Sequence, residues 1–216
     1  MPTTSRLHQL LASACVALAC NGSAWAISDA QFTPAFDIFM QATRGNDAAV
    51  DRAADAFAAL LNQEPGNPVL LAYSGAATAM KAGASWLPWK KMAYAEDGMA
   101  QLDKALSLLG AAHTAPLQHA IAATLEVRFV AASSFLAVPG FMNRGDRGAK
   151  LLGEVLASPL LAGTPLGFRG DVWMKAAELA LKQKRSADAR RYWGEVVQAQ
   201  APQAQAARAH LQGLAP

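Results

Sequence analysis

The chain has 216 residues, 53% of them hydrophobic and 16% charged, with a net charge of +3. That is too apolar for a disordered segment and too weakly basic for a nucleic-acid surface. The length allows one domain with a sizeable core, and the abundance of alanine suits closely packed helices.

At the N-terminus, Arg6 precedes a short apolar run from Leu10 to Ala19, and Ala24-Trp25-Ala26 offers the small residues that a signal peptidase reads. This predicts a signal peptide over residues 1–26, with cleavage after Ala26, and a mature domain over 27–216. The protein is then expected in the periplasm of a bacterium, or secreted. A rival lies in Leu18-Ala19-Cys20, where Cys20 would be acylated as a lipid anchor, although Ala17 stands where a leucine is usual. Both cysteines, Cys15 and Cys20, fall inside the leader. A mature chain without thiols has no disulfide, no cysteine nucleophile and no thiolate metal site. Loss of Arg6 lowers the charge from +3 to +2, and no later apolar run is long enough to span a membrane.

Thr33-Pro34 reads as a cap and first-turn proline opening a helix to about Thr43. Gly45-Asn46 breaks it, and Asp47 starts a second helix to about Gln63, with Ala53, Phe57 and Leu60 on one face and Pro65 beyond. Asn67-Pro68 caps the next helix, which carries Leu71, Ser74, Gly75 and Thr78. Its partner, with Gly98, Leu102 and Ala105, arrives late, so Lys81 through Lys91 reads as an insert. A third hairpin is expected over Ala115–Ala137 and Asp146–Ala157, entered at Thr114 and Pro116 and ended by Ser158-Pro159. From Asp171 to Pro202 the pattern is sharpest. Trp173, Ala176, Ala177 and Ala180 form one helical stripe, and Ala189, Trp193 and Val196 form a second. Lys182-Gln183-Lys184-Arg185-Ser186 separates them, with Ser186 placed to cap. Ala204 to Leu214 reads as a terminal helix.

The order W-x2-A-A-x2-A, then A-x3-W-x2-V and a following proline, resembles the tetratricopeptide repeat. The likeness extends loosely over 32–202 and is specific in 170–202 and in pieces of 47–78. It implies an all-α fold: antiparallel helical hairpins stacked as a short superhelix with a C-terminal capping helix. It also implies a scaffold that binds a protein partner; together with the expected export, this points to an envelope complex, such as a transporter or an assembly machine, as the partner of a noncatalytic adaptor.

Two segments break the hairpin pattern and are the expected partner-binding residues. Ser85-Trp86-Leu87-Pro88-Trp89-Lys90-Lys91 sets two tryptophans around a proline, followed by two lysines. Val138 to Arg147 contains Phe141, Met142, Arg144 and Arg147. Set along one edge, Trp86, Trp89, Phe141 and Met142 would supply apolar contacts, ringed by Lys90, Lys91, Arg144 and Arg147. Against this stands the plainer reading that the tryptophans plug a gap in the core and that Asp146 caps a helix while Arg147 meets water. The same tryptophan–lysine set suits a lipid interface, so membrane contact is the alternative to a protein partner.

No nucleophile elbow, H-E-x-x-H, P-loop or paired G-x-G-x-x-G occurs, and no enzyme, cofactor or metal is expected. His113 and His119 are six apart, which suits no metal motif, and His210 stands by itself in the last helix. Met92 and Met99 share a helical face and read as core. Lys182 to Arg185 complement a helix C-terminus.

Overall fold

A computed structural model describes residues 27–214. It is all-α, and its helices pack in adjacent antiparallel pairs. The segment expected to be a signal peptide, residues 1–26, and both cysteines lie outside the described residues. Helices α1 (Asp29–Thr43) and α2 (Asp47–Gln63) form the first hairpin, α3 (Pro68–Ala84) and α4 (Pro88–Ser107) the second, and α5 (Ala123–Ala137) and α6 (Gly145–Leu156) the third. Helices α7 (Leu166–Lys182) and α8 (Ser186–Gln198) form the fourth, closed by α9 (Ala204–Gly213).

The buried residues explain the packing. In α1, Phe32, Ala35, Phe39 and Ala42 recur at three- and four-residue spacing and face α2, which answers with Ala53, Phe57 and Leu60. Helix α3 is buried on all sides over its first ten residues, Pro68 to Ala77, because α1, α2, α4 and α5 surround it. Asn67 caps it, its Oδ1 accepting from the N–H groups of Val69 (2.9 Å) and Leu70 (3.2 Å). One core runs from α1 into α7; a second, around Trp193, joins α7, α8 and α9.

Four expectations are corrected. Helix α1 opens at Asp29 behind Ser28, not at Pro34: Gln31 Oε1 accepts from both Ser28 N–H and Ser28 Oγ at 3.0 Å, which settles the first turn ahead of the proline. The third hairpin begins at Ala123, because residues 115–122 form a loop closed by an isolated bridge between Pro116 and Ala122, with His119 in the left-handed region (φ 56°). Ser186 is the first residue of α8 rather than its cap; Arg185 holds that place, and its backbone N–H donates to Ala180 O at 2.8 Å. Residues 81–91 are not an inserted loop. The extra length extends α3 and α4 into one long hairpin whose turn is only Ser85, Trp86 and Leu87.

Candidate partner-binding surface

The α3–α4 hairpin projects its tip by packing its two helices at close range. Gly75 and Gly98 face one another at the crossing: a Cβ on Gly75 would lie 2.9 Å from the Gly98 carbonyl oxygen, and one on Gly98 would lie 2.6 Å from that of Gly75. At the turn, Ser85 Oγ accepts from Leu87 N–H (3.3 Å), and Pro88 occupies the first position of α4, where its missing N–H costs nothing.

This geometry leaves Trp86 83% and Trp89 67% exposed. The expectation that they plug the core is overturned. A turn held by α3 and α4 has no third helix over it, so the rings have nothing to bury against. Lys90 and Lys91 are exposed on the first turn of α4. No aspartate or glutamate occurs between residues 82 and 95, so the tip is apolar and positive without an internal counter-charge. One turn in, Lys81 is engaged, its Nζ 2.9 Å from Asp51 and 5.1 Å from the ring centre of Tyr94.

The second group lies elsewhere. Phe141 is 67% exposed on a short 3₁₀ turn, Gly140–Met142, and Asn143 follows in the left-handed region (φ 53°). Met142 is half-buried and packs on the main core. Arg144 and Arg147 do not ring an aromatic patch. Both bond Asp103 of α4, Arg144 at 3.0 Å, and both lie over the Phe135 ring, at 5.5 and 5.2 Å. From Trp89 to Asp103 is fourteen residues, about 21 Å along the α4 axis. The arginines therefore clamp the third hairpin to the C-terminal half of α4, and the basic ring expected around one edge does not form.

Sequence reasoning passed over the most polar part of the interior. Glu126 of α5 is fully buried; its Oε1 accepts from Tyr73 Oη at 2.7 Å and lies 3.1 Å from His119 Nδ1. The His119 ring stands edge-on to Phe32 and Phe36, with centroids at 4.4 and 4.6 Å, and the backbone N–H of His119 donates to Asp29 Oδ1 at 3.2 Å. Tyr73 also stacks on Phe57 at 5.0 Å. Burial, then the charge and the hydrogen bond of Glu126, raises the Tyr73 phenol well above its ordinary value, so it stays a proton donor. The cluster ties α1, the 115–122 loop, α3 and α5 together. A carboxylate set within Ile121–Val127, a mostly apolar stretch with no other charge, was the available signal.

Other groups have local roles. His113 Nδ1 accepts from Gly110 N–H (2.9 Å), and His210 is not isolated but stacks on Trp193 at 4.8 Å with rings 7° apart. Met99 and Met92 lie on one face of α4, but only Met99 is buried; Met92, near the start of the helix, is 37% exposed and is not core. Asp171 of α7 is raised by burial, partly offset by Gln203, whose Nε2 donates to Asp171 Oδ1 (2.7 Å) and to Gly167 O (3.0 Å), tying α7 to the entry of α9. An open groove of about 510 Å³ runs between α2, α3 and α4, past Asp55, Thr78, Lys81, Tyr94, Asp97 and Gln101. Among the described residues no group of three or more histidine, cysteine, aspartate or glutamate side chains could hold a metal ion, and no helix is long and apolar enough to cross a membrane.

Comparison with protein-family models, with curated proteins and with solved structures gives no match to this chain.

Proposed function

We propose that the protein is a noncatalytic adaptor of the bacterial envelope that presents the tip of the α3–α4 hairpin to a protein partner. The observation that carries this reading is the exposure of Trp86 and Trp89, 83% and 67%, on a turn fixed by two tightly packed helices. Two large rings kept in water represent apolar area that only a further contact can bury, and tryptophan at the centre of an interface contributes more than most side chains. Because the tip is already ordered, little conformational freedom is lost on binding. A tetratricopeptide-like stack is part of the same reading, supported by the small-residue stripe of Ala176, Ala177 and Ala180 against Ala189 and Trp193, all buried. Partner-binding is assigned to Trp86, Trp89, Lys90 and Lys91; Phe141, 67% exposed, is a separate apolar contact.

The test is photocrosslinking in cells, with a photoreactive residue at position 89 and a control at buried Ala177. One discrete protein adduct at 89, absent at 177 and lost with Trp86→Ala, is expected. A position 89 that yields no more than position 177 overturns the reading.

A second reading is favoured by the lysines. With no carboxylate between 82 and 95, the tip also has the composition of a lipid-interface anchor. Sedimentation of the protein with vesicles carrying anionic lipid, abolished in the Trp86/Trp89 double alanine variant, would favour this reading.

A further inference from the structure

Ile27 is the residue that cleavage after Ala26 leaves at a new N-terminus, and its backbone nitrogen is already held by a carboxylate. Its side chain is 3% exposed within the main core. Its nitrogen donates to Glu64 Oε1 just beyond α2. The other oxygen of that carboxylate, Oε2, accepts from Asn67 Nδ2 at 2.8 Å, and the same Asn67 caps α3. The end of α2, the start of α3 and the entry to α1 thus converge on Glu64. Among the described residues no lysine or arginine pairs with it. A half-buried carboxylate facing a backbone amide lacks the positive partner that would offset its desolvation.

Hydrolysis supplies one. When water cleaves the Ala26–Ile27 bond, its hydroxyl goes to the Ala26 carbonyl carbon and its proton to the Ile27 nitrogen. That amine then takes up a second proton from solvent to become an ammonium. We propose that Glu64 is the receiving site for the α-ammonium of Ile27 produced by leader removal, an ion pair that tightens the α1–α2–α3 junction only in the processed protein. The inference rests on the reading of the protein as exported and cleaved after Ala26. In the precursor the same two groups make an amide–carboxylate hydrogen bond; after cleavage the bond is charge-assisted at both ends and correspondingly stronger. Burial of the Ile27 side chain holds the nitrogen in place, so little ordering entropy opposes the pair.

The test exports the full chain, wild type and Glu64→Gln, from a bacterial host and purifies both from the envelope. Mass spectrometry of the N-terminal peptide comes first. With Ile27 as the terminus, two readouts follow: thermal midpoint, and the rate at which formaldehyde and cyanoborohydride methylate the α-amine at pH 7. Glu64→Gln, close to isosteric, is expected to lower the midpoint by about 2–4 °C and to speed methylation about tenfold, since pairing removes the free amine. Unchanged methylation overturns the inference even if the midpoint falls, because Glu64 would then act only through Asn67; the export reading would stand. A terminus other than Ile27, such as acylated Cys20, overturns both.

Discussion

Gly75 and Gly98 meet backbone to side at the centre of the α3–α4 hairpin, where a Cβ on Gly98 would lie 2.6 Å from the Gly75 carbonyl oxygen and 2.7 Å from Ala79 Cβ. No flexible side chain stands there to yield, so the helices themselves must part. Gly98→Ala is expected to destabilise the protein by about 1–3 kcal/mol despite the better helix propensity of alanine. Urea unfolding with an unchanged slope would show it. A neutral or stabilising result would mean that the two helices are not in contact at this crossing.

The Tyr73–Glu126–His119 cluster predicts a different signature. Tyr73→Phe removes the donor at 2.7 Å and leaves the buried Glu126 carboxylate with His119 alone. A loss of about 1–3 kcal/mol is expected at neutral pH, because the hydrogen bond lost is to a charged, buried acceptor. The wild-type phenol is raised in the folded state. Its contribution is therefore fully present below the unfolded value of about 10 and is lost as pH rises beyond it. The wild-type advantage over Tyr73→Phe should shrink between about pH 10 and 12. A gap that stays constant across that window would place Tyr73 outside the network.

The fold was readable because helical hairpins of small residues write their period into the chain. Ala176, Ala177 and Ala180 against Ala189, Trp193 and Val196 are buried as their spacing requires. What period cannot convey is length and partnership. Residues 81–91 looked like an insert because a repeat of fixed length was assumed, whereas the same residues extend two helices. Arg144 and Arg147 looked free because Asp103 lies 41 residues before the first of them. His119 looked ordinary because its partners sit on α1 and α5. Local pattern fixes which face of a helix is apolar; only the packed chain tells which distant charge it meets.

Asp171 offers a test with the opposite sign from most carboxylates. Burial raises it in the folded state, and the Gln203 amide only partly compensates. A raised acid makes its full contribution below its unfolded value of about 4 and loses it as pH rises through the folded value. At pH 7 the charged form therefore costs stability. Asp171→Asn, which keeps an oxygen to accept from Gln203, is expected to raise the thermal midpoint at pH 7, with the gain vanishing as pH falls below about 4. A lower midpoint at pH 7 would show that the charge itself is needed, most directly against Arg44 or Lys175.

The tip makes the sharpest separation between folding and binding. Trp86 and Trp89 are exposed and belong to no core cluster of the fold, so replacing both with alanine removes surface rather than packing. Exposed substitutions usually change stability by no more than about 0.5 kcal/mol. The double variant is thus expected to unfold at the same urea concentration as the wild type while losing binding to the partner that crosslinking at 89 identifies. Restoring tryptophan at 86 alone should recover part of that binding, since the two rings lie on either side of Leu87-Pro88 and present neighbouring contacts. A double variant that loses stability would instead show that the rings lean on the helices below. The interaction surface would then have to be sought in the groove beside Lys81 and Tyr94.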